Sequence, residues 1–413
     1  METVKQIINT VKREGDMAVR KYTAIFDGIK LKNFRVSKKE IERAYRQINK
    51  ETIRTIKEAA KNIKGFAKKQ LENFKDFEYT KNGITLGQKI ISIERVGAYV
   101  PGGRYPLPST ALMCAIPAKV AGVREVIVCS PKIKPITIVA ADLSGADLIF
   151  NIGGVQAIAA MAYGTETIPK VDKIVGPGNI YVTQAKKEVF GEVGVDLLAG
   201  PSEILIIADK FANPEFIAAD LLAQAEHDVN TKIFFVTNSK TLIKKVDEGL
   251  RVQIRNLETK NIVDELRSSS RFANTRVIKE AFKKKKVILV KNIKEAIKIA
   301  NEIAPEHLAL QVKNPRKYLN QLKNYGSLFL GEYSAVVFGD YCSGPNHVLP
   351  TDKTSRYTGG LSVKDFIKIQ TYQYINKKGA KKLAKIATKF ASVEGLDAHK
   401  KSIEERIRVV ENN

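Results

Sequence analysis

The chain has 413 residues, of which 44% are hydrophobic and 27% charged, and its formal net charge is +25. This length is ample for two or three domains with their own cores, and the composition is typical of a globular protein. No apolar run approaches the ~20 residues that a membrane-spanning helix needs, so we expect no membrane partner.

The positive charge does not by itself indicate a nucleic-acid-binding protein. That class typically gathers its basic residues into one arm or stripe, whereas the lysines here are spread over most predicted helices and runs such as Lys283 to Lys286 are short. No platform of aromatic residues interleaved with basic ones is present. The sequence therefore favours a solvated basic surface, as in heat-adapted proteins, and no nucleic-acid partner.

The cysteines and the N-terminus indicate a reducing cytoplasm. Cys114, Cys129 and Cys342 are widely spaced and odd in number, which fits neither a disulfide framework nor a thiolate metal site. The first five residues lack the apolar core of a signal peptide.

In chain order, residues 1 to about 75 are predicted to be helical. Ser37 and Glu40 have the spacing of a capping box, so one helix should begin at Ser37. The buried stripe of this helix is predicted to consist of Ile41, Ala44, Tyr45 and Ile48. A β section is predicted at 84–100.

From there, short apolar runs alternate with predicted helices. A first series of strands is predicted at 125–129, 148–152 and 173–175. A second series is predicted at 204–208, 233–237, 287–290, 308–312 and 327–330. Near-continuous apolar strands are typical of parallel sheets covered on both faces, so the pattern predicts two successive α/β sheets. After Lys353 the pattern changes to polar loop and helices.

Glycine-rich loops follow two of these strands, at 153–156 (GGVQ) and 176–179 (GPGN). Glycine lets backbone N–H groups approach a ligand, and the following helix offers its N-terminus to a phosphate. Each loop alone is better explained as an ordinary turn, but both lie near the PGG at 101–103 and together suggest a nucleotide crevice. The G-x-G-x-x-G fingerprint is absent, so spacing does not identify NAD.

A predicted helix with Asn213 as N-cap and Pro214 at its first position contains Gln224 and, three residues on, His227. Residues three apart share a helix face, so the amide and the imidazole could form half of a metal site. An ordinary surface pair is the competing explanation.

The four histidines of the chain each have an acid or amide nearby, in AQAEH (223–227), PEH (305–307), GDYCSGPNH (339–347) and EGLDAH (394–399). Imidazole both ligates metals and moves protons near neutral pH. We therefore predict that these four segments share one site.

Seven ordered motifs resemble the histidinol dehydrogenase family, from about Val11 to the C-terminus. They are the four histidine segments together with VGAYVPGG (96–103), VGPGN (175–179) and AGPSE (199–203). The N-terminal segment should be shorter than in many members, and Cys342 replaces another small residue of the family's loop. The resemblance implies NAD-linked, zinc-dependent, four-electron oxidation of L-histidinol to L-histidine through histidinaldehyde, in a homodimer with shared active sites.

The resemblance also implies a fold and a domain arrangement. It is an α/β fold of two incomplete Rossmann-like α/β/α domains with parallel sheets, plus a small mainly helical C-terminal domain. The larger domain should comprise 1–98 and 203–360 and carry the metal and catalytic residues. The second, 99–202, should carry the nucleotide-contacting loops, and 361–413 should reach the partner subunit.

Residue roles follow from the resemblance position by position. One Zn²⁺ per subunit would be held by Gln224, His227, Asp340 and His399, the last from the partner subunit. Glu306 and His307 would transfer protons. NAD would contact Tyr99, Gln156 and Asn179. Substrate would contact Ser202, Gln224, His227, Glu306, His307, Asp340, His347, Glu394 and His399.

These residue types suit the chemistry. A mixed nitrogen and oxygen ligand set suits zinc, and a base with a pKa near 7, such as His307, can take the alcohol proton. Glu306 could activate the water that adds to the aldehyde.

Three alternatives are weighed against this mechanism. A thiohemiacetal on Cys342 could hold the aldehyde, although all three cysteines are better explained as packing residues. A zinc hydrolase would act without NAD. A nucleic-acid binder would show steep salt dependence.

Overall fold

The computed structural model describes residues 3–102, 105–265 and 272–411, so Gly103 of the predicted VGAYVPGG motif lies outside the described residues. The chain forms two units. The first comprises Met1–Lys69 with Ile93–Phe366, and the second comprises Gln70–Ser92 with Ile367–Asn413.

The described residues begin with four helices, after which strands and helices follow in mixed order. The helices are α1 (Val4–Glu14), α2 (Asp16–Asp27), α3 (Lys38–Gln47), α4 (Lys50–Leu71), α5 (Pro108–Val120), α6 (Pro135–Leu143), α7 (Gly154–Tyr163), α8 (Ile180–Val189), α9 (Pro214–Ala225), α10 (Lys240–Glu265), α11 (Phe272–Lys283), α12 (Ile293–Ile303), α13 (Val336–Tyr341), α14 (Lys377–Val393) and α15 (Asp397–Glu411). The strands are β1 (Phe77–Lys81), β2 (Ile84–Ser92), β3 (Arg95–Tyr99), β4 (Glu125–Cys129), β5 (Leu148–Phe150), β6 (Lys173–Val175), β7 (Gly194–Val195), β8 (Glu203–Ala208), β9 (Lys232–Thr237), β10 (Lys286–Leu289), β11 (His307–Gln311), β12 (Ser327–Leu330) and β13 (Ile367–Ile375). Short 3₁₀ helices lie at Pro315–Gln321, Thr354–Arg356 and Val363–Phe366.

Two five-stranded sheets lie in the first unit, and every neighbouring pair in them is parallel. The first has the order β5-β4-β3-β6-β7 and the second β10-β9-β8-β11-β12. Counted within each sheet, both orders are 3-2-1-4-5, which is the Rossmann order without its sixth strand. The predicted fold class, two incomplete Rossmann-like α/β/α arrangements with a helical C-terminal region, is confirmed.

The eight predicted strands all occur, with ends shifted by at most two residues. Nearly every residue of the inner strands β4 and β8 is buried because helices cover both faces of the sheets, whereas residues of the edge strands β10 and β12 are partly or largely exposed. In the second sheet, Ile204 and Ile206 pack with α9 and α10 on one face, while Leu205 and Ile207 pack with α12 on the other.

The N-terminal helices α1 and α2 share a hydrophobic core with the first sheet and α7. In α3, the Ser37 hydroxyl accepts from the Glu40 N–H and the Glu40 side chain accepts from the Ser37 N–H, which confirms the predicted capping box. The domain boundaries predicted near residues 98, 202 and 360 stay a prediction.

The second unit contains a strand pattern that the sequence analysis did not anticipate. β13 pairs antiparallel with β2, which pairs antiparallel with β1, and α14 and α15 follow in the chain. Most β13 side chains are exposed, so this strand lacks the buried apolar run that marked the parallel strands.

None of the helices in the described part of the chain has the length and apolar character that a membrane crossing requires.

A buried carboxyl group on α9 gives the fold a measurable pH dependence. Asp220 accepts a hydrogen bond from Gln311 Nε2 at 2.9 Å, and burial raises its pKa from 3.8 to about 6. A raised carboxyl pKa means that the folded state holds the proton more tightly than the unfolded chain. Stability from this group is therefore present below pH 3.8 and is lost as the pH rises through about 6.

We expect Asp220→Asn to remove this dependence. Between pH 4 and pH 7 the free energy of unfolding of the unsubstituted protein should fall relative to that of the variant by about 2 kcal/mol. Urea unfolding of both proteins at the two pH values measures the difference. Parallel pH profiles would show that Asp220 titrates normally.

Candidate active site

The predicted nucleotide loops lie together at the carboxyl edge of the first sheet. Tyr99 ends β3, Gly153 and Gly154 lead from β5 into α7, and 176–179 follows β6. β3 and β6 are the neighbouring strands at which the chain order reverses. In open α/β sheets, ligands bind at this position.

Hydrogen bonds to backbone N–H groups hold two of the side chains of these loops, those of Tyr99 and Asn179. The Tyr99 hydroxyl accepts from the Gly154 N–H at 3.1 Å, and burial raises the pKa of Tyr99 to about 12. Asn179 caps α8, accepting from the N–H groups of Tyr181 and Val182 at 3.1 Å. Gln156 is fully buried, and neither amide atom has a hydrogen-bond partner among the residues that the structure describes. A buried amide without partners is costly, which favours a ligand there.

The peptide of Gly176 is fixed by a buried ion pair that the sequence analysis missed. Lys186 Nζ donates to the Gly176 carbonyl at 3.0 Å, and the Gly176 N–H donates to Asp196 at 2.7 Å. Lys186 and Asp196 also pair with each other, with side chains 3% and 1% exposed. Nothing in the sequence distinguishes Lys186 from the solvated lysines beside it.

The catalytic candidates lie at the amino edge of the second sheet. Ser202 precedes β8, Glu306 precedes β11 and His307 is the first residue of β11. Glu306 Oε2 accepts from the Ser202 hydroxyl at 2.6 Å and from the Glu203 N–H at 2.9 Å. The Gln224 amide donates to the Ser202 hydroxyl at 2.5 Å. A chain of hydrogen bonds thus connects α9 with the two strand ends.

The His307 ring is fixed in one orientation. Its Nδ1 lies 2.9 Å from the Glu203 carbonyl, and because a carbonyl only accepts, Nδ1 carries the proton. In the neutral ring Nε2 is then the atom that can accept a proton. Nε2 is buried, and no residue in the described ranges forms a hydrogen bond with it. Asp340 Oδ1 lies 3.7 Å away, which is too long for a hydrogen bond.

Burial and two neighbouring carboxylates shift the pKa of this histidine in opposite directions. Burial alone would lower the pKa of His307, but the carboxylates of Glu306 and Asp340 raise it to about 9. Burial raises the pKa of Glu306, against the opposing influence of His307 and the Ser202 hydroxyl. Both groups are thus buried and have shifted pKa values, which is a feature of functional sites.

Asp340, at the end of α13, faces three imidazoles. Burial alone would raise its pKa, but His307, His347 and His227 together lower it. His347 Nδ1 lies 2.7 Å from the Asp340 carbonyl, and its Nε2 lies 3.3 Å from the Thr110 hydroxyl. Four of the residues predicted to touch metal or substrate are therefore neighbours.

The helix that carries Gln224 is shorter than the sequence pattern indicated. α9 ends at Ala225, and His227 lies beyond it in a turn. The His227 N–H donates to the Gln224 carbonyl at 3.3 Å. Gln224 is buried, whereas the His227 side chain is exposed. The premise that both lie on one helix was wrong, because Glu226 takes the C-cap position.

One cleft adjoins both sets of residues. Its volume is about 1380 Å³, and its walls include Tyr99, Gly154 and Asn179 from the first set and His227 and Asp340 from the second. The carboxyl edge of one sheet and the amino edge of the other thus face a common space.

Glu394 and His399 belong to the second unit, whereas the site residues described above belong to the first. Glu394 is the C-cap of α14 and His399 lies in the first turn of α15. Both side chains are exposed.

The cysteines are all free. Cys114 and Cys129 are fully buried, and burial raises the pKa of both thiols, which suits packing residues. Cys342 is partly exposed, and its carbonyl accepts from the Asn62 amide at 2.9 Å.

Comparison with known proteins gives consistent matches over the whole chain. The family model of histidinol dehydrogenase matches residues 1–407. The histidinol dehydrogenase of Methanocaldococcus jannaschii is 46% identical over 413 residues, covering 99% of this chain and 92% of that protein. That of Clostridium acetobutylicum is 47% identical with the same coverage. The crystal structure of histidinol dehydrogenase from Elizabethkingia anophelis matches with a TM-score of 0.91 at 37% identity, covering 99% of this chain and 92% of that one.

Proposed function

The chain belongs to the histidinol dehydrogenase family, an oxidoreductase family of histidine biosynthesis, and from this premise we propose that it oxidises L-histidinol to L-histidine in two NAD-linked steps at a zinc site. The observation that carries the proposal is the polar cluster at the amino edge of the second sheet. There a buried glutamate and histidine adjoin a carboxylate that faces three imidazoles.

The donor chemistry of this cluster fits a zinc ion. We assign Gln224, His227 and Asp340 as three ligands, which offer an amide oxygen, an imidazole nitrogen and a carboxylate oxygen. Residues 3–102, 105–265 and 272–411 contain no group of three or more His, Cys, Asp or Glu side chains placed to hold a metal. One chain would supply only two such side chains, because Gln224 is an amide and His399 would come from the partner subunit.

The protein's own groups can move the protons of the first oxidation. His307 Nε2 would accept the proton of the substrate hydroxyl as the carbon loses hydride, giving the aldehyde. Zinc, when bound, would orient the amine and imidazole of histidinol, and its charge would counter the carboxylates that raise the His307 pKa.

The second oxidation needs a water molecule. Glu306 would take a proton from this water as its oxygen bonds to the aldehyde carbon, and the protonated His307 would give the proton of the first step to the carbonyl oxygen, which yields the hydrate and a neutral His307 ring. His307 would then take a hydroxyl proton of the hydrate as hydride leaves, giving the carboxylic acid. The buried position of Glu306, which raises its pKa, makes it a stronger base than an exposed carboxylate.

The cleft supports a place for NAD, which accepts the hydride in each step when bound. Tyr99, Gln156 and Asn179 are assigned to it. Tyr99 and Asn179 line the cleft at the switch point of the first sheet, and Gln156, in the first turn of α7, has buried amide atoms with no hydrogen-bond partner among the described residues. The same cleft leads to His227 and Asp340.

Removal of the metal tests the zinc assignment. NADH formation from L-histidinol should cease after treatment with a chelator and dialysis, and return on addition of one zinc ion per chain. Full activity in protein shown by elemental analysis to be metal-free would contradict the assignment.

We also propose a homodimer in which His399 completes the partner's site. The second unit supports this, because α14 exposes an apolar stripe of Ile386, Phe390 and Val393, which are 57%, 65% and 72% exposed. Their spacing places them on one helix face, and such a patch is typical of an interface. His399 is exposed nearby in sequence, at the start of α15.

Hybrid dimers test this sharing. We expect His399→Asn and His227→Asn homodimers to be inactive, and their hybrid to regain about half the activity per dimer, since one site would keep both histidines. Two affinity tags allow the hybrid to be isolated. An inactive hybrid, with dimerisation verified by sedimentation, would contradict sharing.

The unpaired state of the three cysteines supports a reducing compartment, for which we propose the cytoplasm.

A further inference from the structure

The main chain of one residue, Glu203, holds both proton-transfer groups. Its N–H donates to Glu306 Oε2 and its carbonyl accepts from His307 Nδ1, both at 2.9 Å. β8 and β11 are parallel neighbours in which His307 pairs with Ile204. A shift of the Glu203 backbone would therefore move the Glu306 carboxylate and rotate the His307 ring together.

The Glu203 side chain is itself fixed by a charge partner. It is 3% exposed, and its Oε1 accepts from Lys232 Nζ at 2.8 Å and from the Asp352 N–H at 3.3 Å. Its Oε2 is buried and has no hydrogen-bond partner in the part of the chain that the structure describes. Lys232 opens β9 and is aligned with Glu203 in the sheet. A buried carboxylate needs such a counter-charge, so the ion pair determines where Glu203 lies.

Lys232 also holds a strained turn. Its ammonium group pairs with the Asp352 carboxylate, and Asp352 and Lys353 have φ values of +52° and +67°. Two successive non-glycine residues in this conformation persist only where the surroundings impose it. The preceding residue is fixed too, because the Thr351 hydroxyl accepts from the Gly200 N–H at 2.6 Å. This turn follows the segment that carries His347.

We propose that Lys232 is a positioning residue for the oxidation. Through Glu203 it aims the Glu306 carboxylate and the His307 ring, and through Asp352 it fixes the turn that follows His347. The Lys232 ammonium group contacts the carboxylates of Glu203 and Asp352, neither of which is assigned to metal, substrate or cofactor, so Lys232 acts through these neighbours and not on the reacting atoms. This inference rests on the proposed function.

Lys232→Met tests the role in turnover. We expect kcat for NADH formation from L-histidinol to fall about 10²-fold, the loss that a displacement of about 1 Å can cause. The KM for L-histidinol and the zinc content should stay within about twofold, because no ligand is removed. Lys232→Arg, which restores a cation, should recover most of kcat.

Lys285→Met is the matched control. Lys285 makes an ion pair with Asp247 at 2.5 Å, so its replacement, like that of Lys232, leaves a carboxylate without its partner cation. The Lys285→Met variant should have the kcat of the unsubstituted protein.

The double variant K232M/E203Q leaves no unpaired charge at Glu203, so it can be tested if Lys232→Met fails to fold. The kcat of this double variant should still be at least about tenfold lower than that of the unsubstituted protein.

A second readout does not depend on the reaction. With four histidines in the chain, ¹⁵N-histidine NMR resolves the His307 Nδ1 proton, identified by its absence in His307→Asn. This proton should exchange slowly with solvent in the unsubstituted protein and in Lys285→Met, and at least about tenfold faster in Lys232→Met and in the double variant.

The outcomes separate the two proposals. If the unsubstituted protein does not oxidise L-histidinol, the proposed function fails while the exchange measurement still decides whether Lys232 fixes His307. If it does oxidise L-histidinol, unchanged kcat and unchanged exchange in folded Lys232→Met would overturn the positioning role. A loss of kcat that merely follows the loss of folded, zinc-loaded protein would overturn it as well.

Discussion

Replacing His307 with asparagine is expected to abolish both NADH-forming steps. In the proposed mechanism the His307 ring takes a proton in each oxidation, and its Nδ1 hydrogen bond to the Glu203 carbonyl leaves Nε2 as the accepting atom. Loss of a positioned general base typically reduces the rate 10²–10⁴-fold. Stopped-flow absorbance should show the loss separately with L-histidinol and with L-histidinaldehyde as substrate.

Cys342→Ala serves as the control for this variant. Cys342 lies near Asp340 in sequence but contacts neither Glu306 nor His307 in the described hydrogen bonds and ion pairs. Turnover should be retained. If Cys342→Ala instead lost only the aldehyde step while His307→Asn kept it, the thiohemiacetal mechanism would replace the one proposed.

Glu306→Gln is expected to slow aldehyde consumption about 10²–10³-fold while alcohol oxidation falls much less. Only the second oxidation requires water, and Glu306 is the carboxylate assigned to activate it. The glutamine can still accept from the Ser202 hydroxyl, which limits rearrangement. Histidinaldehyde should therefore accumulate in the variant and can be trapped with a hydrazine reagent.

Equal losses in the two half-reactions would contradict this division of roles. Glu306 would then act mainly through its charge on His307, which lies 3.5 Å away. Glu226→Gln is a suitable control, because Glu226 lines the cleft that His227 and Asp340 line but has no assigned role in the proposed reaction.

Much of the fold could be predicted from the sequence because parallel strands carry a strong local signal. Strands such as β8 are buried along their whole length, so every residue of β8 except the first is apolar, on both faces of the sheet. β13 escaped prediction for the opposite reason, since its exposed polar residues resemble a loop.

The site could be predicted only in part. The four histidine segments and the resemblance led to Glu306, His307 and Asp340, which the fold brings together. Their gathering at the amino edge of a sheet depends on long-range strand pairing, which no local pattern specifies. Lys186 and Lys232 were missed because, in a chain with 69 lysines and arginines, neither the buried Lys186 nor the partly exposed Lys232 has distinguishing neighbours in sequence.

The stoichiometry of the reaction tests the proposed chemistry most directly. A limiting quantity of L-histidinol should be converted with excess NAD by zinc-loaded protein, with NADH measured by absorbance and histidine by amino-acid analysis. The proposal predicts two NADH and one L-histidine for each L-histidinol consumed, without free aldehyde. One NADH with the aldehyde as end product, or no NADH at all, would contradict it.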